Sequence, residues 1–398
     1  MRLLFVSIAM PPKNDPESLQ TAKYLKYLSK KFDVDIVTSK PNTLWMNNDE
    51  SLAHYLKNVN QIIEIPIFEP KYLSIISNKF FRNFLKPDSR FSFHLQSNTV
   101  IKNIKQKPDI IYSRAFPLSS VIMAKKLKTH FQVPWILHLS DPWTESPLFN
   151  FNNSKYHKTQ EQECFELADK ITFTSNKTIE IYKNKYPHLS DKFQVLPNVF
   201  DESDKVYSSN KLSLKNNKIN LVYTGSLNGN RSFKTISKAI DLLKKENDKT
   251  LLNIKFTIAG SVDSYNAKLL ENHQDLIEFV GFLNKNEVLK LQNSADILIA
   301  IDFDFKDAKD AIFFPSKLLD YFITEKPILA ITNKNSTTDV ILKELNHKII
   351  YHKDVNSMVD FIKNIKSVLN QRFETPKGFS AKENVNKLTK LIEEICQK

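Results

Sequence analysis

The chain opens on Leu3–Ile8, an unbroken apolar run of strand length, followed by the turn cluster PPKNDPES. Leu19, Ala22, Leu25 and Leu28 then recur at helical spacing, and Val34–Val37 is apolar again. Continuous apolar runs of this length are expected of parallel strands covered on both faces, so the opening predicts a βαβ unit. The rhythm pauses over 41–107, where Ile62–Ile65 is a predicted strand and KYLSIISNKFFRNFLKPDSRFSFHL is basic and aromatic. It resumes with strands at Asp109–Tyr112, Trp135–Leu139, Ile171–Thr174 and Phe193–Leu196. Helices are predicted at Leu118–Lys128, Tyr156–Leu167 and from Asn176.

Pro197–Lys218 is polar and aperiodic, the pattern of a linker. Beyond it the alternation starts afresh. Strands are predicted at Asn220–Tyr223, Ile254–Ile258, Asp296–Ile301 and Ile328–Ile331. Helices are predicted at Ser232–Lys244, Lys285–Leu291, from Pro315 to before Pro327, at Val355–Leu369 and at Ala381–Ile395. Two such series predict an α/β protein of two doubly wound domains across a cleft. The first domain is placed at 1–205, the second at 206–379, and a terminal helix at 380–398 crosses back to the first.

Two stretches carry candidate chemistry. FFPSKLLDYFITEKPIL, 313–329, predicts a helix with Pro315 at its first position, which leaves the N–H groups of Ser316, Lys317 and Leu318 without intrahelical acceptors. A helix start of that kind beside a lysine suits a phosphate, and Asp320, one turn on, suits the hydroxyls of an adjoining ribose. An ordinary αβ unit with solvated polar residues reads the same way. In HLSDPW, His138 and Asp141 stand at a strand's carboxyl end, where ligands of open α/β sheets collect. Asp141 is the candidate to accept a proton or answer positive charge at a reacting carbon, and His138 is the second candidate.

Composition narrows the partners. The net charge is +13, with acids and bases interleaved rather than in blocks. Nucleic acid and an anionic membrane surface both suit such a charge. No zinc-finger or RNP-like motif supports nucleic acid. Arg82, Lys86 and Arg90 alternate with aromatic residues, as in an interfacial segment or in helices packed on a core with basic stems lying over apolar neighbours. Two distant cysteines give neither a disulfide framework nor a metal cluster and favour a reducing compartment. MRLLFVSIAM runs straight into PPKND, so it reads as a first strand rather than a secretory leader. No strand is followed by G-x-G-x-x-G, which excludes the dinucleotide-binding dehydrogenase signature.

The order of PDIIYSR (108–114), HLSDPW (138–143), LADKITFTSN (167–176), VLPNVFD (195–201), VYTGSLNGNRS (222–232), FTIAGS (256–261), IEFVGFLNKNEV (277–288), ADILIAI (295–301) and PSKLLDYFITEKPILA (315–330) resembles that of retaining GT-B fold glycosyltransferases, family 4 in particular. The resemblance implies two Rossmann-like domains facing a central cleft, a nucleotide-sugar donor (UDP or GDP) on the second, a glycan or lipid-linked acceptor on the first, and no catalytic metal or other cofactor. It places Asp320 at the second acid of the family's Glu-x7-Glu element, which holds the ribose hydroxyls. Ile312 falls at the first acid, a departure that leaves the donor-sugar contact to Asp307 or Asp310. Arg231 and Lys317 match basic positions near the diphosphate, and Gly225 sits where a backbone approaches phosphate or simply turns tightly. Arg114 lines the same cleft as Asp141 or lies at the surface. The expected setting is the cytoplasm, peripheral at the membrane face, on an envelope polysaccharide. A nucleotide-sugar epimerase of the same fold and a non-catalytic sugar-nucleotide-binding protein are the alternatives.

Overall fold

The computed structural model describes residues 1–41, 48–68, 86–209, 218–307, 310–369, 371 and 373–397. Most of the basic and aromatic segment that contains Arg82 lies outside the described residues.

The chain divides into two compact units: Met1–Val199 with Gly378–Lys398, and Phe200–Lys377. In the first, seven parallel strands lie in the order β3-β2-β1-β4-β5-β6-β7. They are β1 (Arg2–Val6), β2 (Asp33–Ser39), β3 (Gln61–Ile65), β4 (Ile110–Ala115), β5 (Trp135–Leu139), β6 (Lys170–Phe173) and β7 (Phe193–Val195). The unbroken apolar runs have the expected cause. Leu4, Val6, Ile111 and Leu137 enter one core, while Leu3, Phe5, Tyr112 and Ile136 enter another. Alternate residues of one strand feed both faces of the sheet. The turn cluster resolves into a capped helix start. Asp15 accepts from the N–H groups of Glu17 and Ser18 at 3.1 and 3.0 Å, and Pro16 opens helix α1 (Pro16–Leu28). The terminal helix, here α5 (Ala381–Cys396), packs its Val385, Leu388 and Ile392 into the core that Tyr24, Leu25 and Leu28 of α1 share.

The second unit holds six parallel strands in the order β10-β9-β8-β11-β12-β13. They are β8 (Ile219–Thr224), β9 (Ile254–Ala259), β10 (Ile277–Gly281), β11 (Ile297–Ile301), β12 (Ile328–Thr332) and β13 (Lys348–Tyr351). β10 and β13 go beyond the predicted strands. β10 is an edge strand exposed over Glu278–Val280, and β13 is only four residues, so neither shows the buried run that marks the others. The predicted helix over Val355–Leu369 is two, Val355–Lys363 and Lys366–Leu369. The helix predicted from Pro315 is shorter. It spans Lys317–Phe322 (α4), with Ser316 as its N-cap and Pro315 outside it, and Glu325 in the left-handed region lies beyond its end.

In each sheet the strand order reverses once, between β1 and β4 in the first and between β8 and β11 in the second. Loops leaving the carboxyl ends there diverge to opposite faces and open a crevice between them, the usual ligand position in open α/β sheets. Two glycines set how closely the second unit's loops approach. Gly260, φ +129, follows β9 so closely against the β8 loop that a Cβ there would meet the Gly225 carbonyl oxygen at 2.0 Å. Gly260→Ala therefore has both a forbidden φ and a backbone clash that no rotamer relieves, and is expected to cost about 3 kcal/mol or more. Urea denaturation of the two proteins measures it, and near-identical midpoints would contradict the clash.

Candidate functional site

In the second unit, Lys317 reaches from α4 to the end of β8. Its Nζ donates to Tyr223 Oη at 2.9 Å and lies 4.1 Å from the centre of that ring. Tyr223 Oη donates onward to the Ser226 carbonyl at 2.8 Å, closing the loop after β8. Gly225, φ +130, is what makes room. A Cβ there would stand 2.7 Å from Lys317 Nζ, so the lysine head occupies the space a side chain would fill. Close approach at Gly225 is thus made first by Lys317.

Arg231 lies on the same loop, its guanidinium 4.2 Å from the centre of the Phe303 ring. Burial pushes the Lys317 ammonium well below the ordinary lysine range, and the Arg231 charge lowers it further, with Asp302 opposing. Asp302 follows β11 directly, on the other side of the strand-order reversal. It accepts from Thr332 Oγ1 at 2.6 Å, and burial raises its carboxyl above the usual range. Among the described residues no carboxylate pairs with Lys317 at salt-bridge distance. Lys317 and Arg231 therefore converge on the crevice, and among the described residues Asp302 is the acid whose charge opposes the lowering of Lys317.

The start of α4 differs from its expected form. The Leu318 N–H is already taken by the Pro315 carbonyl at 3.0 Å, and Leu319 donates to Ser316 at 3.1 Å. Leu318 is therefore no free donor, because the turn before the helix is tightened by i to i−3 bonds. The N–H groups of Ser316 and Lys317 remain without a backbone acceptor among the described residues. Asp320 is half-buried in the first turn. Ile312, where the resemblance called for a carboxylate, is only 6% exposed and sits in a segment fixed by Thr337 Oγ1 donating to its carbonyl at 2.8 Å. Of the acids named to replace it, Asp310 accepts from the Ile312 N–H at 2.9 Å through its carbonyl, and Asp307 accepts likewise from Asp310 at 3.1 Å.

In the first unit the centre is Arg114, on β4 and wholly buried. Its Nε donates to Glu17 Oε1 at 2.9 Å, and its Nη2 donates to Ser140 Oγ at 3.2 Å and Asn198 Oδ1 at 3.4 Å. Tyr24 stacks under the guanidinium at 5.0 Å. The surface reading of Arg114 is thereby corrected, since an arginine with no exposure takes no part in a membrane face. Asp141 follows Ser140 directly and is partly exposed. Burial raises its carboxyl to about 7, and the Glu17 charge adds to the shift.

His138 is a different case. It has no exposure, its Nδ1 is 2.9 Å from Thr172 Oγ1, and burial followed by the Arg114 charge holds it well below the ordinary histidine range. A neutral imidazole sealed in the sheet is not placed to touch a substrate, which leaves Asp141 as the candidate of that pair. The loop beyond Asp141 is fixed by Glu161, on helix α2 (Lys155–Leu167). Its carboxylate accepts from Thr144 N–H and Oγ1 at 2.8 Å each, from Tyr182 Oη at 2.9 Å and from Lys185 Nζ at 2.8 Å. Tyr182 and Lys185 come from helix α3 (Asn176–Lys185).

Lys86 and Arg90, two of the three basic residues assigned to a membrane face, are described. Lys86 lies over the Tyr156 ring at 5.2 Å, and the Arg90 N–H donates to Asp88 Oδ1 at 2.9 Å. Glu17, Tyr223, Asp302 and Phe303 were not singled out from sequence. A signal was present for three of them, since Tyr223, Asp302 and Phe303 sit at the carboxyl ends of the two strands flanking the reversal. Glu17 had none, because its partner is distant in sequence. Among the described residues no group of three or more His, Cys, Asp or Glu is arranged to hold a metal, and no helix is long and apolar enough to cross a membrane.

Comparison with known proteins agrees with this architecture. Residues 218–369 match the family model for glycosyl transferases group 1. No curated protein matches the chain. Among solved structures, sucrose-phosphate synthase from Thermosynechococcus elongatus is similar with a TM-score of 0.65 and 12% identity, over 100% of this chain and 98% of that one. HepE of Anabaena, solved in complex with UDP, gives 0.59 and 11% over 99% of both chains. UDP-GlcNAc 2-epimerase from Methanocaldococcus jannaschii gives 0.60 and 12%, over 99% and 100%. At such identities the likeness speaks for the fold. Residues 218–369 thus match the glycosyl transferases group 1 family model, within a chain that has the GT-B fold of two Rossmann-like domains.

Proposed function

We propose that the protein is a retaining, family 4-like glycosyltransferase that moves a sugar from a nucleotide diphosphate sugar to a glycan or lipid-linked acceptor. The observation that carries the reading is the Lys317 ammonium. It is held in the gap left by Gly225, beside Arg231, in an environment that disfavours its charge. A diphosphate would supply the missing countercharge. The two cations would then offset the charge that leaves with the nucleotide, work that a metal ion does in other transferases. Asp320 and the Ser316 and Lys317 N–H groups are the donors and acceptor for the rest of the nucleotide. UDP is the first donor to try, because HepE of the same fold was solved with it. Asp141, with a carboxyl raised to about 7, is poised to exchange a proton with an acceptor hydroxyl near neutral pH or to answer positive charge at the anomeric carbon. The same reading puts the enzyme on an envelope polysaccharide at the cytoplasmic membrane face, where a charge of +13 favours anionic lipid.

Ligand-free, Lys317 should weaken the fold. Its pKa is lowered in the folded state, so the unfolded chain binds more protons in the window below the ordinary value of 10.5. The penalty is full below the lowered folded value and is relieved as pH rises toward 10.5. Lys317→Met should therefore raise the ligand-free melting temperature by a few degrees and flatten its rise with alkaline pH. It should also remove nucleotide binding. Calorimetry in two buffers of different ionisation enthalpy should show proton uptake when UDP binds the parent protein, and a melting temperature lowered by the substitution would count against this account.

A thermal-shift panel of UDP, GDP, CMP and TDP sugars should show stabilisation by a UDP- or GDP-sugar. Asp320→Ala should lose most of it, an affinity drop of about tenfold or more for a charge-assisted contact. Silence across the panel would sink the donor assignment. Product analysis then separates transfer to an acceptor from epimerisation of the free donor. Replacing Arg82, Lys86 and Arg90 together by glutamine should weaken co-sedimentation with liposomes containing anionic lipid, by about 1 kcal/mol per charge that lies at the surface. Unchanged sedimentation would remove the membrane part of the proposal and leave the transferase part standing.

A further inference from the structure

The buried polar cluster of the first unit draws on four separate segments. Glu17 comes from the first turn of α1, Arg114 from β4, Ser140 from the end of β5, and Asn198 from beyond β7. A fully buried arginine is strongly destabilising unless its charge is answered, and Glu17 is the carboxylate that answers it. The guanidinium then has a second duty. Through Nη2 it grips the Ser140 hydroxyl, whose residue precedes Asp141. Ser140 is fixed from two further directions. Its N–H donates to the Ala115 carbonyl at 3.1 Å, and its carbonyl accepts from Thr174 Oγ1 at 2.9 Å.

We propose that Glu17 is a positioning residue for Asp141: it holds Arg114, Arg114 holds Ser140, and Ser140 fixes the turn on which Asp141 stands. The inference rests on the role given to Asp141 above and deepens it, because it assigns a residue of the first βα connection to the same chemistry. Glu17 does not touch substrate in this scheme. It acts through geometry and through its charge, which faces Asp141 and favours the protonated carboxyl.

The charged and titratable groups around Asp141 are few. From α1 come Glu17 and Tyr24, with Asp15 at its cap acting on Glu17. From β4 come Arg114 and Tyr112, from β5 the neutral His138, and in the loop beyond Asp141 stands Glu145, paired with Lys185. Of these, Glu17 is the one whose charge acts on Asp141, the rest of the shift being burial. Removing that charge should lower the Asp141 midpoint; loosening the fold would lower it too by relieving burial, so the fall counts only in a variant whose melting temperature matches the parent's.

The test is infrared titration of the full-length protein, with the Asp141 carboxyl band identified by its loss in Asp141→Asn. The parent midpoint should lie near 7. In Glu17→Gln it should fall by about one unit, and Glu17→Asp should restore it in part. Should Glu17→Gln fail to fold because Arg114 is left unpaired, Glu17→Gln with Arg114→Gln removes both charges and should lower the midpoint in the same direction. A folded variant of either kind with the parent midpoint overturns the proposal. Where transferase turnover is found, Glu17→Gln should also shift the acidic limb of the kcat profile to lower pH by the same amount. If Asp141→Asn retains full turnover, the functional reading of Asp141 fails while the titration still decides whether Glu17 controls it.

Discussion

A charge buried at the carboxyl edge of a parallel sheet must be answered, and the two units answer it in opposite ways. In the first, Arg114 is closed off by Glu17, Ser140, Asn198 and the Tyr24 ring, all from the same unit. Removing any of the charge would leave its partner uncompensated, so this cluster is fixed architecture. In the second, Lys317 has a neutral phenol, Tyr223, as its hydrogen-bond partner and another cation, Arg231, as its neighbour. That arrangement disfavours the ammonium's charge and suits an anionic ligand. The contrast explains why the nucleotide is assigned to the second unit and the positioned carboxyl to the first.

Both arrangements depend on how the strands are ordered. A reversal of strand order sends neighbouring loops to opposite faces, so the residues just after β8 and β11, or β1 and β4, are left facing a crevice. The loops must then be held. Gly225 and Gly260 let the β8 and β9 loops touch backbone to side chain and backbone to backbone. Glu161 gathers the loop after Asp141 onto α2 and α3 with five hydrogen-bond donors, from Thr144, Tyr182, Lys185 and Tyr186. In the loop after β1, Lys13 plays a similar part. Its buried ammonium donates to the carbonyls of Ile8 at 2.6 Å and Ser39 at 2.9 Å, and burial lowers it to about 8. The described loops are thus set by polar contacts beneath them as much as by their own turns.

The fold was legible because its signals are local. Leu3–Ile8, Trp135–Leu139 and Asp296–Ile301 are apolar without alternation, and only a strand covered on both faces asks for that. β10 was missed because Glu278, Phe279 and Val280 are exposed at a sheet edge, where the same pressure is absent. The stretch 313–329 was half legible. Lys317 and Asp320 do stand at a helix start, but that start is a tightened turn in which Leu318 is already bonded.

What the sequence determined by itself is the succession of strands and helices, the two series, and which strand ends carry polar residues, because periodicity and turn chemistry act over a few neighbours. Tertiary structure alone decided which of those residues meet. Glu17 and Arg114 are 97 positions apart, Arg114 and Asn198 are 84, and Tyr223 and Lys317 are 94. It also decided their chemical state. His138 and Asp141 stand three residues apart in one motif, yet burial leaves the first a sealed neutral imidazole and raises the second to about 7. Charge in a protein is set by what is packed around a group, and packing is a property of the whole fold.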